Sequence, residues 1–358
     1  MNNLTQLELD ALLCKYGARE EYYKLELLDY YGSKKCDLHL KNGTINVYND
    51  KVIKRYATLE FTEDDRVDYL NDKLRVCMGI RMNKALKWYS LGVFLMLTPI
   101  VEDGICYANC YDEVISVQQD KLDSPKLFLK GTNYGEVLRY FLISCGITKI
   151  NIQATDLVLT ADVVCDYTKN KAEWFNYFAE QINYTSLMTD ANGWFVSKKY
   201  VEPSPLNVTN TYKDNDMSII LGTPRKKMDY YNIPNVITRI VSHPQLGMLS
   251  STYTNTDPTS IFSIQRRHGK KIVDVDTVDN IANQIELDNL VRKLAFNAVQ
   301  VEQEVTFETL NMPTHTVNDI LDLRHKDLIG IFVEQSYSIT LKAGAKMQHV
   351  CKRLVRLE

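Results

Sequence analysis

The spacing of hydrophobic residues changes twice along this chain, and no other feature of the sequence constrains the fold as much. From Glu21 to about Val117, β-branched and aromatic residues alternate with polar ones between turn residues, which indicates strands. Between Gly131 and Asn183 the period lengthens towards that of a helix, and after Asn207 the alternation returns. The sequence therefore predicts a mainly β fold with an α+β insertion.

Two features of the first strand-rich part carry specific expectations. Asn42-Gly43 tolerates the positive φ of a tight hairpin, so Lys34–Leu40 should fold back on Ile45–Tyr48. The apolar run Leu91–Thr98 lacks alternation, which is typical of a strand buried on both faces, and Pro99 is expected to end that strand.

The middle of the chain is predicted to be a small α+β unit. Asn133 is a candidate N-cap followed by Glu136, and Asn170 occupies the same position relative to Glu173. Apolar residues behind each cap recur at helical spacing, and we interpret them as core and not as a cofactor site. A hairpin is expected next, with its turn at Asp190–Gly193.

Helices are also predicted at two other places. Asn2–Leu13 has leucines at helical spacing and a breaker at Gly17. A longer helix is expected after Asp276 or Thr277, either of which would cap it. Its predicted buried face consists of Ile281, Ile285, Leu290, Leu294 and Ala298. The strands predicted around it are Ile219–Gly222, Asn235–Val241, Glu304–Leu310 and Tyr337–Leu341.

Composition limits the classes of protein that fit this pattern. With 358 residues, 45% of them hydrophobic, the chain can bury a sizeable core in two or three folding units. The net charge of -3 argues against a general nucleic-acid or membrane-surface binder. No apolar run reaches the roughly 20 residues that span a bilayer, and the start lacks the features of a signal peptide. Synthesis in a cytosol is therefore expected, with the eight cysteines as thiols.

The sequence offers no candidate for a catalytic motif. The sequence contains no phosphate-binding glycine loop, no Gly-X-Ser-X-Gly elbow and no His-Glu-X-X-His helix. Its six histidines are scattered, and we interpret each as a solvated or core residue standing alone. The acidic clusters Glu63–Asp65 and Asp274, Asp276, Asp279 are interpreted as a solvated turn and a helix start. No catalytic, cofactor-binding or metal-binding residue is predicted, and the protein is not expected to be an enzyme.

Two basic clusters, Arg225-Lys226-Lys227 and Arg266–Lys271, carry charges that could contact phosphates. Neither cluster has aromatic residues interleaved with it that would stack on bases. We interpret each cluster as a solvated loop or as part of an ion pair between subunits. No specific nucleic-acid binding is expected.

Several strings of residues, taken in order, resemble the baseplate hub family of long-tailed phages, which includes hubs of tail-like bacteriocins and of defective prophages from Gram-positive bacteria. The strings are Arg66–Arg75, Trp88–Pro99, Gly131-Thr132, Ile182–Tyr184, Asp190 with Asn192-Gly193, Ile233–Ile237, Thr254–Ser260 and Leu341–Met347. They extend over about Asp50 to Arg353, nearly the whole chain. In one departure, Asp257–Phe262 stands where the family more usually has a second proline. The positions that the resemblance marks as structural are Arg66, Asp72, Gly92, Phe94, Pro99, Tyr184, Gly193, Pro234, Asn235 and Asp257.

The resemblance implies two tube-like β-barrel domains plus a smaller α+β domain and an inserted helix. Their expected extents are residues 1–118, 119–205 and 206–358, with the inserted helix at 277–300. Three such chains would present six similar barrels in a ring. A trimer of this kind could match a six-fold tail tube on one side and a three-fold spike on the other.

The function implied is that of a structural baseplate hub in a phage tail or contractile injection system. The expected partners are two further copies of the chain, the tail tube protein, a spike or central tip protein and other baseplate proteins, with a passage for DNA and no membrane span. We expect synthesis in the bacterial host cytoplasm, followed by assembly into the tail baseplate of a virion or phage-like particle. Two alternatives stay open: a tail-associated cell-wall hydrolase, and a peripheral receptor-binding or carbohydrate-binding tail protein.

Overall fold

The computed structural model describes residues 5–14, 19–82, 85–214, 219–228, 231, 233–243, 247–278, 280–300 and 303–355. Within these ranges it is mainly β, which confirms the predicted class. The first elements are α1 (Gln6–Leu12), β1 (Glu21–Leu28), β2 (Lys34–Leu38), β3 (Leu40–Tyr48), β4 (Arg55–Thr62), β5 (Lys73–Met82), β6 (Ala85–Glu102) and β7 (Ile105–Tyr111). Next come α2 (Val114–Gln119), β8 (Lys126–Phe128), α3 (Tyr134–Ile143), β9 (Ile150–Ile152), β10 (Val163–Cys165), α4 (Lys171–Gln181), β11 (Met188–Thr189) and β12 (Phe195–Ser197). The last are β13 (Asn210–Lys213), β14 (Ile220–Met228), β15 (Val236–His243), β16 (Gly247–Thr254), β17 (Val273–Thr277), α5 (Gln284–Val299), β18 (Gln303–Leu310), β19 (Ile320–His325), β20 (Leu328–Thr340) and β21 (Lys346–Arg353).

The first seven strands close into a ring. β1 pairs with β5, and the sheet continues through β6, β7 and β4 to β3. β2 pairs with the other side of β1 and runs into β3 through His39, whose carbonyl accepts a hydrogen bond from Thr62 N at 3.0 Å. The inward side chains, among them Leu25, Val76 and Phe94, fill the interior of this barrel.

Six strands of the last part form a second sheet with the same strand order. The first sheet is ordered β3-β4-β7-β6-β5-β1, and the second is ordered β14-β18-β21-β20-β19-β13. The register shifts coincide as well, since β6 shifts against β7 between Met96 and Thr98, and β20 shifts against β21 between Glu334 and Ser336. The sheets differ at one edge: β1 is antiparallel to β5, whereas β13 is parallel to β19.

The α+β unit lies between these sheets in the chain and has its own core. Both predicted caps are confirmed: the Asn133 side chain accepts a hydrogen bond from Gly135 N, and Asn170 forms a capping box with Glu173. The packed aromatic side chains include Phe141 and Phe178, whose ring centroids lie 6.0 Å apart. The predicted hairpin is also present, as β11 paired with β12.

A further small unit is inserted between β14 and β18. β15 pairs with β16 on one side and, in parallel, with β17 on the other. α5 packs against this sheet through Leu287 and Leu290, which belong to the same core cluster as Val241. The insertion is therefore a three-stranded sheet with a helix, and not the single helix at 277–300 that the sequence suggested.

The predicted start of α5 is wrong. Asp276 and Thr277 belong to β17, and the helix is capped by Asn283, whose side chain accepts a hydrogen bond from Glu286 N. The predicted buried face is wrong at Ile285, which is 69% exposed, and Ile281 lies before the helix begins. The residues buried on the helix are Glu286, Leu287, Leu290, Val291, Ala295, Phe296 and Val299. Asp279 lies outside the described residues.

The predicted hairpin at Asn42-Gly43 is also wrong. β3 runs through both residues, and the strand before it, β2, pairs with β1. The turn preference of Asn-Gly is a local effect, and here ladder hydrogen bonds to β4 on one side and β20 on the other override it.

Pro99 does not end its strand, contrary to expectation. β6 continues to Glu102, and only Leu91–Phe94 of the apolar run is buried throughout. β5 begins at Lys73, opposite Leu95, so in the described residues one side of β6 has no partner strand after Leu95. A proline is tolerated there because its missing N–H can face the open edge.

The amino-terminal helix is shorter than predicted within the described residues. α1 begins after Thr5, which forms a capping box with Glu8, and the earlier part of the prediction and Gly17 lie outside those residues. None of the helices in the described ranges has the length and apolar character needed to cross a membrane. The proposed extents of three domains, residues 1–118, 119–205 and 206–358, stay a prediction.

Candidate functional site

The two sheets are joined by a ladder between β3 and β20. The first half of β20 pairs with β19, and its second half pairs with β3 from Ser336 opposite Tyr48 to Thr340 opposite Thr44. The approach is close at Gly43, where a Cβ atom would lie 2.9 Å from Leu341 Cδ1. The same Cβ atom would lie 2.9 Å from the Thr58 carbonyl oxygen, so a side chain at this position would force main-chain or side-chain shifts where the two sheets meet.

One end of this junction is fixed by buried polar contacts. Arg19 and Glu21 form an ion pair of 3.0 Å, and their side chains are 3% and 1% exposed. The Arg19 guanidinium also donates to the Asn311 carbonyl. Asn311 Nδ2 in turn donates to Tyr23 Oη and to the Thr340 carbonyl, both at 2.8 Å. Residues from both sheets thus satisfy each other's polar groups, which couples the sheets as one body.

The opposite end of the junction is fixed by two asparagines. Asn49 N donates to the Gln335 carbonyl at 2.9 Å, and the side-chain amides of Asn49 and Asn318 contact each other at 3.0 Å. The ladder is therefore held at both ends by side-chain contacts, in addition to its own hydrogen bonds.

A buried cluster of ionisable groups lies in the core of the second sheet, beside this junction. Glu334 Oε1 lies 2.6 Å from His349 Nδ1, and its other oxygen contacts His315 Nδ1. The outer ring nitrogens also have partners: Thr309 Oγ1 lies 2.9 Å from His349 Nε2, and Tyr212 Oη contacts His315 Nε2. All five residues are buried.

The charges in this cluster shift one another's protonation. Burial alone would raise the pKa of Glu334, but the two histidines outweigh it and hold the pKa at about 2. Burial lowers the pKa of His315, but the Glu334 carboxylate outweighs it and the net shift is upward. For His349 burial prevails and its pKa is lowered. The cluster therefore keeps a carboxylate ionised in a dry core.

The same three side chains are the candidate metal ligands of the described residues, since their donor atoms lie within 4.8 Å of one another. Each Nδ1 contacts a different oxygen of Glu334, and each Nε2 contacts a hydroxyl group, so hydrogen bonds alone satisfy the set. His315 and His349 are core residues, which agrees with one of the two interpretations made from the sequence, but they do not stand alone, because both contact Glu334. No sequence signal could have shown that the two histidines share Glu334, because His315 lies in the loop before β19 and His349 lies on β21.

Two of the predicted positions, Arg66 and Asp72, lie in the turn between β4 and β5. Lys35 Nζ donates to the Arg66 carbonyl at 2.8 Å and to Asp72 Oδ2 at 2.6 Å. Arg66 itself forms an exposed ion pair of 2.5 Å with Asp64. The structure thus brings both predicted residues onto one lysine of β2, which holds the turn against the barrel.

Three predicted positions, Gly92, Phe94 and Pro99, lie on β6, and a fourth packs against that strand. A Cβ atom at Gly92 would lie 2.5 Å from the Phe94 ring, so the buried ring covers the glycine. Gly193 has a φ of +80° in the hairpin turn, and its Cβ position lies 3.4 Å from Val93. The turn of the α+β unit therefore rests on the first barrel.

Arg55 also fixes the contact between the α+β unit and the first barrel. Sequence reasoning missed this residue. It is buried in β4, and its guanidinium donates to the Thr189 carbonyl at 3.3 Å and to the Leu91 carbonyl at 3.1 Å. Asp112 accepts a hydrogen bond from Arg55 N at 3.1 Å. Burial raises the pKa of Asp112 to about 6. An arginine within an alternating strand normally faces solvent, so the pattern gave no signal.

Asn235 organises the loop of the inserted unit. It is fully buried, and its Nδ2 donates to the carbonyls of Phe262 and Lys270 at 3.1 and 3.0 Å. Its Oδ1 accepts a hydrogen bond from Ile272 N at 2.8 Å. Pro234 precedes it and is half-buried. One side chain therefore holds a loop of the inserted unit against the start of β15.

The last two predicted positions serve local contacts. Asp257 Oδ1 accepts a hydrogen bond from Thr259 N at 2.7 Å within the loop that Asn235 holds. Tyr184 lies apart from it, in the α+β unit, and its hydroxyl donates to the Ala154 carbonyl at 3.1 Å. The ten positions thus fall into separate structural contacts, and any further role for them stays a prediction.

Comparison with known proteins gives results for structure alone. No family model matches the chain, and no curated protein matches its sequence. A tail protein from Neisseria meningitidis is 11% identical with a TM-score of 0.66, and the match covers 92% of this chain and 96% of that one. A prophage tail protein from Shewanella oneidensis is 11% identical with a TM-score of 0.60, covering 94% and 98%. One from Listeria monocytogenes is 10% identical with a TM-score of 0.57, covering 92% and 94%. The chain therefore has the fold of phage and prophage tail proteins over nearly its whole length.

Proposed function

We propose that this chain is a structural baseplate hub of a phage or phage-like tail, a trimeric adaptor between a six-fold tail tube and a three-fold spike. The observation that carries the proposal is the repeated strand order of the two sheets. Three copies of a chain with two such sheets would present six similar faces around one axis. The likeness to tail proteins of three bacteria supports this setting.

The rigid junction supports the same role. An adaptor has to keep its two sheets at a fixed spacing, because a loose pair would not match successive subunits of a tube. The β3–β20 ladder and the buried Arg19–Glu21 pair make the two sheets one body in this chain. The contacts of this junction thus have a function in the proposal beyond stability.

A non-enzymatic role is part of the proposal. Glu334, His315 and His349 form the cluster that most resembles catalytic groups, but all three are buried and no substrate could reach them. Two residues of the acidic clusters noted in the sequence have structural partners: Asp64 pairs with Arg66, and Asp274 pairs with Arg239 at 3.0 Å. These observations favour a scaffold over a cell-wall hydrolase.

The proposed partners are the tail tube protein, a spike or tip protein and other baseplate proteins, with a passage for DNA along the axis. The chain would be made in the host cytoplasm and then reside in the baseplate. The test is a mass measurement, with negative-stain imaging, of the chain alone and co-expressed with the tube and spike proteins of its own particle. We expect three copies in a ring with six lobes. A chain that stays monomeric with both partners present would overturn the proposal.

Two assays address the alternatives. A dye-release assay on purified peptidoglycan should give no activity above buffer, and activity that disappears on changing one carboxylate would favour a hydrolase. A pull-down should recover tube protein and spike protein together, because a hub binds them at opposite faces. Recovery of surface glycans without tube protein would favour a peripheral receptor-binding role.

A further inference from the structure

Two strand edges on this chain match the edges that form its internal junction. The junction uses β20 beyond the end of β19, where β3 pairs with it. In the first sheet the strand in the place of β20 is β6, which likewise continues beyond the end of β5. In the described part of the chain, Thr98–Glu102 pairs with β7 alone. The edge that β3 covers on one sheet is thus open on the other.

Rows of paired residues across the sheets give a residue-by-residue correspondence. In the first sheet one row consists of Thr98, Asn109, Thr58 and Thr44, on β6, β7, β4 and β3. In the second sheet the matching row consists of Ser336, Val350, Thr306 and Arg225, on β20, β21, β18 and β14. Both rows follow directly after the shared register shift. Thr98 therefore corresponds to Ser336, and Arg225 corresponds to Thr44.

Residues of β20 at the internal junction and their counterparts on β6 differ in exposure, as expected if the edge of β6 lacks a partner strand. Ile339, covered by β3, is 2% exposed, whereas its counterpart Val101 is 42% exposed. Ile100 beside it is 62% exposed. An apolar strand edge left open in this way invites pairing with another chain. This segment of β6 therefore leaves Val101 uncovered at the place where the internal junction has the buried Ile339, and Ile100 adds a second exposed apolar side chain.

The counterpart of β3 is β14, which is the end strand of the large sheet. In the described residues its only partner strand is β18. Arg225, Lys226 and Lys227 are exposed along it. Its charge is opposite to that of the open end of β6, where Glu102 and Asp103 are exposed. Opposite charges facing each other across a strand pair stabilise it, and like charges oppose it.

We propose that the open segment of β6 on one copy pairs antiparallel with β14 of a second copy, with Glu102 opposite Arg225. The register is that of the internal junction, in which Thr340 lies opposite Thr44. This inference rests on the proposed trimeric function and names the surface that forms it. Such a contact joins unlike edges, so it closes into a ring of three when the rotation per copy is a third of a turn.

Two differences from the internal junction follow from the sequence. Pro99 takes the place of Tyr337, so the contact between copies lacks one N–H donor. Lys226 takes the place of Ile45, so a basic side chain lies beside Val101. A contact with fewer ladder bonds and more charge should be weaker than the internal one and sensitive to salt.

Cysteine cross-linking tests the register. Leu341 N donates to the Gly43 carbonyl at 2.9 Å, so Thr340 and Thr44 form a non-hydrogen-bonded pair, the type with the closest side chains. The variant with both Glu102→Cys and Arg225→Cys should, on mild oxidation, give covalent dimers and trimers on a non-reducing gel. Each single variant should stay monomeric on that gel. Trimers in solution that do not cross-link would overturn this pairing while leaving the proposed hub function standing.

Charge exchange provides the second test. Glu102→Arg alone and Arg225→Glu alone should each weaken association by about tenfold, because each places like charges opposite each other. The double variant should recover most of the loss. Arg324→Glu, an exposed strand arginine paired with Asp322, is the matched control and should leave the trimer intact. Equal losses for the double variant and the single ones would overturn the inference, whereas a wild-type chain that never forms trimers would overturn the proposed function.

Discussion

Glu334 Oε1 lies 2.6 Å from His349 Nδ1, and neither side chain is exposed to solvent. The other oxygen of Glu334 contacts His315, so one carboxylate joins β20 to β21 and to the loop before β19. The cluster lies close to the part of β20 that pairs with β3. Its integrity therefore bears on the proposed adaptor as well as on the stability of the second sheet.

Glu334→Ala should lower the free energy of unfolding by about 3 to 5 kcal/mol, because it leaves two buried imidazoles without their acceptor. Urea denaturation followed by intrinsic fluorescence measures the effect. The matched control is Glu308→Ala, which breaks an exposed pair with Lys346 and should cost less than about 1 kcal/mol. Similar costs for the two variants would show that the histidines do not depend on Glu334.

Asp319 gives a prediction about pH. Burial raises its pKa to about 6 in the folded state, above its value near 4 in an unfolded chain. Between these values the folded state binds the proton and the unfolded state does not, so this group adds stability as the pH falls from 7 to 4. The contribution is complete below pH 4 and is lost as the pH rises through 6.

The measurement is urea denaturation at pH 7, 6, 5 and 4, comparing the wild-type chain with Asp319→Asn. As the pH falls from 7 to 4, the free energy of unfolding of the wild type should rise relative to that of Asp319→Asn. Glu334, with its pKa lowered to about 2, acts in the opposite direction only below about pH 4.5, where the unfolded state begins to bind its proton. A constant difference from pH 7 to pH 4 would contradict the assignment to Asp319.

Gly92→Ala should destabilise the first barrel by about 1 to 3 kcal/mol, because the new Cβ atom would overlap the buried ring of Phe94. The background variant Phe94→Leu removes the ring, so adding Gly92→Ala there should cost less. Thermal unfolding of the four proteins of this double-mutant cycle gives the coupling between the two positions. Additive effects would show that the ring is not what requires the glycine.

Local signals explain what the sequence predicted correctly. Asn133 and Asn170 cap helices through hydrogen bonds to residues two or three positions away, and such contacts are visible in a single stretch of sequence. Asn42-Gly43 was misjudged because strands far away in the sequence supply its ladder partners. The local preference for a turn could not compete with them.

Features that depend on distant residues were not predictable. The repeated strand order consists of pairings between distant residues, such as Thr58 with Asn109 and Thr306 with Val350. No common sequence motif surrounds these residues. The contact of His315 with Glu334 likewise requires two elements to fold together. The resemblance to hub proteins supplied the expectation of two similar barrels, and the pairing pattern now supplies its physical basis.

Asn235 provides the last prediction, because its side chain fixes a loop through three hydrogen bonds to main-chain groups. Asn235→Ala would leave the carbonyls of Phe262 and Lys270 and the N–H of Ile272 without this partner, at a cost of about 1 to 3 kcal/mol for each group that stays buried. Asn235→Asp keeps the acceptor for Ile272 N but places a negative charge beside two carbonyl oxygens. It should therefore be no better tolerated than alanine. Hydrogen exchange should show faster exchange at the amides of residues 262–272 in both variants, while β18–β21 stays protected. Unchanged exchange in that loop would mean that other contacts hold it.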